Sequence, residues 1–260
     1  MLTFFFNKLK FFLSPKKEII WVNTHDALKT ICNDLRTKKI IAIDTEFDWR
    51  NTYKPKMSLV QIATKEKIFL IDCLKFSNLN GIKKILEDNK VLLICHSCRS
   101  DCTVLSNSLG IKMTNIFDVQ IADKEIYKGD IRKYEKLVKD YMKIDLFQTE
   151  TNSNWLQRPL SSSQVKYACE DVDFLIDIYK IQKKMLSTNN LYKILELSQS
   201  EASLGNMDLK EMRLVKNKKK LSKKDIKIFL WREDLALRKN VPPNFIFDEK
   251  KITKLSKVSL

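Results

Sequence analysis

Three stretches of this chain place carboxylates where they could hold a divalent cation. In IIAIDTEF (40–47), Asp44 and Glu46 stand two residues apart on a run that otherwise reads as a buried strand. Alternate side chains of a strand share a face. The two carboxylates therefore point the same way, with Cα atoms about 6.5 Å apart, while Ile41, Ile43 and Thr45 point the other way. Two like charges on an apolar strand need a cation, a proton or a solvated strand end.

The second stretch, CHSCRSDC (95–102), holds three cysteines, one histidine and one aspartate. Read as a helix, Cys98, Cys102, Leu105 and Leu109 make one apolar stripe, so two of the cysteines serve as small core residues. Asp101 falls on the flank of that stripe, about 60° from Cys98, partly buried yet able to reach a cleft. A thiolate site would need further converging ligands. The other histidine, His25, belongs to a separate helix, and a structural zinc or iron–sulfur centre is not expected.

The third stretch, SSSQVKYACEDVDFLIDIY (161–179), opens on serines suited to cap a helix. Its apolar stripe is Ala168, Val172, Leu175, Ile176 and Tyr179. Glu170, Asp173 and Asp177 fall on the solvated face, whereas Asp171 falls on the flank of the stripe with Tyr167 one turn before it. Asp44, Glu46, Asp101 and Asp171 together offer four hard oxygen donors, which suit Mg²⁺ or Mn²⁺ rather than zinc. Two such ions about 4 Å apart can activate a water and stabilise the leaving oxygen of a phosphodiester.

The elements that would position these groups follow from periodicity. Strands are predicted over 18–22, 39–47, 57–64, 67–73 and 91–95, with a brief one at 115–119. Helices are predicted over 24–36, 78–88 and 98–109, and from about 120 onward nearly everything is helical. This pattern is an α/β domain with a mixed sheet flanked by helices, followed by an all-α segment. The expected divisions are a Phe/Lys-rich tail (1–17), a catalytic domain (18–205), a basic linker (206–224) containing KNKKKLSKK, and a helical segment (225–260).

The 260 residues carry 48 Lys and Arg against 32 Asp and Glu, a formal net charge of +16, which favours a polyanionic partner. The six cysteines show no disulfide framework, and a reducing, cytoplasmic setting is expected. No apolar run is long enough to span a membrane. The opening MLTFFFNKLKFFL is read as a tail or a docked helix rather than a signal peptide or membrane anchor.

IDTEF, H-x4-D within CHSCRSDCTVL, and Y-x3-D within YACEDVDFL resemble the three motifs of the DEDD-type 3′–5′ exonucleases, in the subgroup with a tyrosine. TYKPKMSLVQIA, IFDVQIA and NWLQRPLSSSQVKYACEDVDFL resemble the ribonuclease D family in particular. The resemblance runs from about residue 18 to 200 and implies a ribonuclease H-like fold. It also implies that Asp44, Glu46 and Asp171 hold the metal that binds the attacking water, that Asp44 and Asp101 hold a second metal, and that Tyr167 orients or helps deprotonate that water. The implied reaction removes nucleoside 5′-monophosphates from RNA 3′ ends, with tRNA precursors and other structured RNAs as substrates. No protein partner is expected, and the chain is expected to be a monomer. His96 matches a family position read as a supporting group. Asp118 is read as structural support, Trp155 is likewise family-like, and Arg158 is read as either a phosphate contact or a salt-bridge partner. Residues 225–260 resemble the first half of an HRDC domain, a helical nucleic-acid-binding module. This piece is too short for an independent core and is expected to dock or to remain poorly ordered. A DNA exonuclease of the same superfamily and a catalytically inactive RNA-binding module are the alternatives.

Overall fold

The computed structural model describes residues 17–146, 150–218, 221–252 and 254. The Phe-rich opening, residues 1–16, lies outside the described residues, as do most of the residues after Ile252.

Six strands form one mixed sheet: β1 (Glu18–Val22), β2 (Ile40–Asp48), β3 (Lys56–Ala63), β4 (Lys67–Asp72), β5 (Leu92–Cys95) and β6 (Ile116–Asp118), in the order β1-β4-β3-β2-β5-β6. β3 runs antiparallel to both its neighbours, and the other pairings are parallel. β2 and β3 lie at the centre and are apolar on both faces, as strands covered on both sides must be. Their register slips between Glu46 and Phe47: Glu46 faces Leu59 while Phe47 faces Met57. Ser58 is thus the extra residue of a bulge, a device that bends a strand and re-aims its side chains, here beside the paired carboxylates.

Helices cover both faces. On one, α1 (His25–Leu35), α2 (Asn80–Leu86) and α3 (Arg99–Leu109) pack on Ile41, Ile43, Val60, Ile62, Phe69 and Leu93. On the other, Ala42, Leu59, Ala63, Leu70, Ile94 and Phe117 meet α4 (Val119–Tyr127), α5 (Tyr134–Met142), α6 (Ser162–Asp173) and α7 (Leu175–Met185). α6 and α7 divide the helix predicted from 161 to 179 as one piece. The break at Phe174 lets α6 lie along β2, β3 and β4 while α7 turns to pack on α4 and α5.

α8 (Thr188–Gly205) returns to close over α3. Gly205 is where they meet, since an added Cβ would stand 2.5 Å from the Arg99 carbonyl and 2.7 Å from Cys102 Cβ. The stretch expected to be a linker contains α9 (Leu209–Asn217), capped by the Asp208 carboxylate, which accepts from the Lys210 and Glu211 N–H groups. Beyond it come α10 (Lys223–Lys239) and the short α11 (Pro243–Ile246). These C-terminal helices dock on the loop after β2. The Tyr53 hydroxyl donates to Glu233 at 3.0 Å, Arg213 pairs with Glu233 at 2.8 Å, and Tyr53, Leu209 and Ala236 form a small apolar cluster with Trp49. The described part of this segment thus shares a small core with the loop after β2.

Candidate active site

Asp44 and Glu46 project from the C-terminal half of β2 on the face covered by α6. α6 is fixed at its start by a capping box between Ser161 and Gln164 and along its length by Ala168, Cys169 and Val172, all buried. Asp171 then leans toward β2, and carboxylate oxygens of Asp44, Glu46 and Asp171 lie within 4.8 Å of one another. Tyr167, one turn earlier, packs its ring 5.9 Å from that of Trp155. Its hydroxyl lies 3.3 Å from Thr151 Oγ1 and also hydrogen-bonds the Asp171 carboxylate.

Asp101 arrives from the opposite face of the sheet, in the first turn of α3. It stands outside the tight trio. Its Oδ1 accepts a 2.5 Å hydrogen bond from Thr45 Oγ1, and the side chain is 5% exposed. Of the neighbouring carboxylates, Asp101 raises the pKa of Asp44 most, followed by Asp171 and Glu46. Glu46 responds to Asp171 before Asp101. Asp44 thus shares the tight trio with Glu46 and Asp171, while Asp101 is tied to the same strand through Thr45, the residue between Asp44 and Glu46.

This crowding is electrostatically costly. Burial first, then the neighbouring charges, hold Asp44 well above the ordinary carboxylate range and push Glu46 up to about 9. Desolvation raises Asp101 and Asp171 to about 7, opposed by the hydrogen bonds from Thr45 and Tyr167 respectively. Tyr167 is raised above its ordinary value by burial and by Asp171, so its phenol stays protonated at neutral pH. A divalent cation would relieve the repulsion among the carboxylates, and an all-oxygen donor set fits Mg²⁺ or Mn²⁺. The residues present therefore fit such ions.

The remaining sequence candidates support the site. Asp118 caps α4 and ties it to the turn before α3: its carboxylate accepts from Ser97 N and Cys98 N at 3.0 Å and from Gln120 N at 2.9 Å. Ser97 takes φ 61°, which turns the chain sharply between β5 and α3. His96 has its Nε2 3.0 Å from the Arg132 carbonyl and its ring against Tyr134. Desolvation lowers its pKa, favouring the neutral ring. Arg158 is a salt-bridge residue. Its Nε and Nη2 clasp the Asp72 carboxylate at 2.9 and 2.7 Å, and Nη2 also donates to Ser58 O and Oγ. The structure also gathers Cys95, Cys98 and Asp118. Both Asp118 oxygens accept the backbone N–H groups just named, burial holds the Cys95 thiol well up, and hydrogen bonding to Cys98 together with burial raises Cys102. Cys98 is pulled down to about 6 by hydrogen bonds with those two thiols. All three cysteines pack in the core with Leu105 and Val104.

Sequence reasoning missed Thr45. The strand alternation already placed it on the face opposite Asp44, but its partner could be named only once α3 was seen to pack on that face.

Residues 19–187 match a family model described as a 3′–5′ exonuclease. The chain belongs to this 3′–5′ exonuclease family. It is 31% identical over 250 residues to ribonuclease D of Pseudomonas paraeruginosa, covering 93% of this chain and 66% of the relative. It is 28% identical over 255 residues to ribonuclease D of Haemophilus influenzae, covering 94% and 63%. The fold matches the crystal structure of Escherichia coli RNase D, an exoribonuclease involved in structured RNA processing, with a TM-score of 0.84 and 25% identity, over 93% of this chain and 66% of that one. The chain thus spans slightly less than two thirds of the length of these relatives. No helix among the described residues is long and apolar enough to cross a membrane.

Proposed function

We propose that this protein is a divalent-metal-dependent 3′–5′ exoribonuclease that releases nucleoside 5′-monophosphates from RNA 3′ ends, acting on tRNA precursors and other structured RNAs. The observation that supports this reading is the gathering of the Asp44, Glu46 and Asp171 carboxylates within 4.8 Å of one another, with Asp101 bonded to Thr45 on the same strand. Asp44, Glu46 and Asp171 would hold one Mg²⁺ or Mn²⁺ and Asp44 with Asp101 a second. Such ions supply an activated water and neutralise charge on the leaving oxygen.

The chain's own groups then do the rest. In the overall hydrolysis, one water adds to the terminal phosphorus as the 3′-oxygen of the preceding nucleotide leaves. Tyr167, one turn before Asp171 and hydrogen-bonded to it, would orient that water or help to deprotonate it. Thr45 holds Asp101 in place from below. The surplus of 48 basic over 32 acidic residues attracts the polyanion. Work from a 3′ end relies on backbone and sugar contacts more than on base edges, so little sequence preference is expected. The docked segment from 225 onward is read as a partial HRDC-like unit. Six buried cysteines, without the dense spacing of a disulfide framework, support a reducing, cytoplasmic setting.

The test is digestion of matched RNA and DNA oligonucleotides, and of a 3′-extended tRNA-like RNA, with Mg²⁺ or Mn²⁺ and with EDTA. Stepwise release of mononucleotides from RNA, abolished by EDTA, is expected. Equal or better cleavage of DNA would move the substrate class to DNA. No metal-dependent release at all would leave an RNA-binding module.

A further inference from the structure

Gln61 sits in the middle of β3, completely buried, and neither its Oε1 nor its Nε2 has a hydrogen-bond partner among the described residues. Buried side-chain amides in native structures are almost always paired, so this one calls for an explanation. In sheet register, Gln61 lies directly opposite Asp44 on β2 and Leu70 on β4. Directly opposed residues of an antiparallel pair share a face, with Cβ atoms about 5 Å apart. The same-face neighbours of Gln61 along its own strand are Leu59 and Ala63, both buried. Of the four side chains around it in the sheet, Asp44 alone is polar.

We propose that Gln61 is a positioning residue for Asp44: the two stand in register on one face with no hydrogen bond between them in this structure, and a turn of the Gln61 amide brings its Nε2–H onto the Asp44 carboxylate and fixes it in the orientation that holds the ions. An amide suits the task because it offers a donor and an acceptor on one rotatable group. No charge is added to a site that already holds too much of one sign. Thr45 gives the precedent on the other face of the sheet, where a neutral strand side chain pins Asp101. The two pairs together would brace, from β2 and β3, both carboxylates assigned to the second ion. Groups that orient metal-binding carboxylates commonly change metal affinity or activity about 10- to 100-fold when removed.

This inference rests on the metal-dependent reading of the site and is tested on the full chain with Mn²⁺ alone as the probe. Binding is followed by the electron paramagnetic resonance signal of free Mn²⁺, and activity on a short RNA by its Mn²⁺ and pH dependence. Gln61→Leu removes the amide while nearly keeping its shape, and Gln61→Met is a second apolar variant should Leu pack poorly. The expected result for either folded variant is Mn²⁺ affinity weakened about tenfold or more. The Mn²⁺ needed for half-maximal rate should rise in step, the pH profile should move, and the metal-free melting temperature should be equal or higher. Mn²⁺ affinity and pH profile within twofold of wild type would overturn the inference alone. A wild-type protein that binds no Mn²⁺ would overturn the metal reading, and this inference with it.

Discussion

Thr45 and Asp101, 56 residues apart in sequence, meet through a 2.5 Å hydrogen bond beneath the strand that carries Asp44 and Glu46. The bond crosses from β2 to α3 on the face away from α6, so one strand contributes to the acidic cluster from both sides. It also opposes the desolvation that raises Asp101, favouring the ionised carboxylate. Thr45→Val keeps the shape and removes the donor. Activity at saturating RNA should fall about 10- to 100-fold, with a higher Mg²⁺ requirement and a largely unchanged fold. A metal titration of the rate together with a melting curve checks this, and an unchanged Mg²⁺ dependence would refute it.

Asp44 is the carboxylate proposed to serve both ions and should be the most sensitive position. Asp44→Asn takes away the negative charge shared by the two proposed ions. Turnover should drop by about three orders of magnitude or more, in line with the several kcal/mol that paired ions contribute to phosphoryl chemistry. RNA binding, measured by anisotropy, should remain near normal. Tyr167→Phe should cost less, because it removes a hydrogen bond to the water and to Asp171 but no ligand. Near-normal turnover in Asp44→Asn would show that the site has been misassigned.

The crowded carboxylates make a distinctive pH dependence. Glu46 near 9 and Asp101 and Asp171 near 7 all lie above the ordinary carboxylate value of about 4. Between about pH 4 and 9 the metal-free native state therefore binds more protons than the unfolded chain, and its stability falls as pH rises. In EDTA the melting temperature should decline from pH 5.5 to 8.5. Mn²⁺ should raise it more at pH 8 than at pH 6, because the ion displaces protons that are retained at the lower pH. Calorimetry at the two pH values checks both trends. A metal-free protein that became more stable with rising pH would contradict this electrostatic picture.

Much of this arrangement was legible before the fold was known. Same-face alternation on IIAIDTEF and helical phase around Asp171 single out these three carboxylates, because both rest on local periodicity, though that their elements meet is a matter of packing. The apolar stripe of Cys98, Cys102 and Leu105 was equally readable, and all three are fully buried. What stayed hidden depends on layer assignment. Asp101 could be placed on the flank of its helix, but which face of the sheet that helix covers is decided by long-range packing. The bulge at Ser58 and the break at Phe174 are of the same kind. Each reconciles two packing partners that no local pattern names. The stretch 209–217 reads as part of a basic linker from its surroundings, whereas its Leu209 is buried against Tyr53 and Ala236.

Arg158 shows how such hidden partners change a functional reading. A basic residue in WLQRPL invited a phosphate contact, yet its guanidinium is turned inward on Asp72, whose side chain is only 2% exposed. The pair ties the segment before α6 to β4, and through Ser58 to the bulge next to Glu46. Removing one partner of a buried ion pair strands the other and typically costs about 3–5 kcal/mol. Arg158→Ala should therefore lower the denaturation midpoint markedly, while the KM for RNA of the folded fraction stays within about twofold of wild type. Replacing both residues together, Arg158→Met with Asp72→Leu, should recover part of the lost stability, since no charge is then left without its partner. A raised KM with unchanged stability would instead assign Arg158 to the RNA backbone.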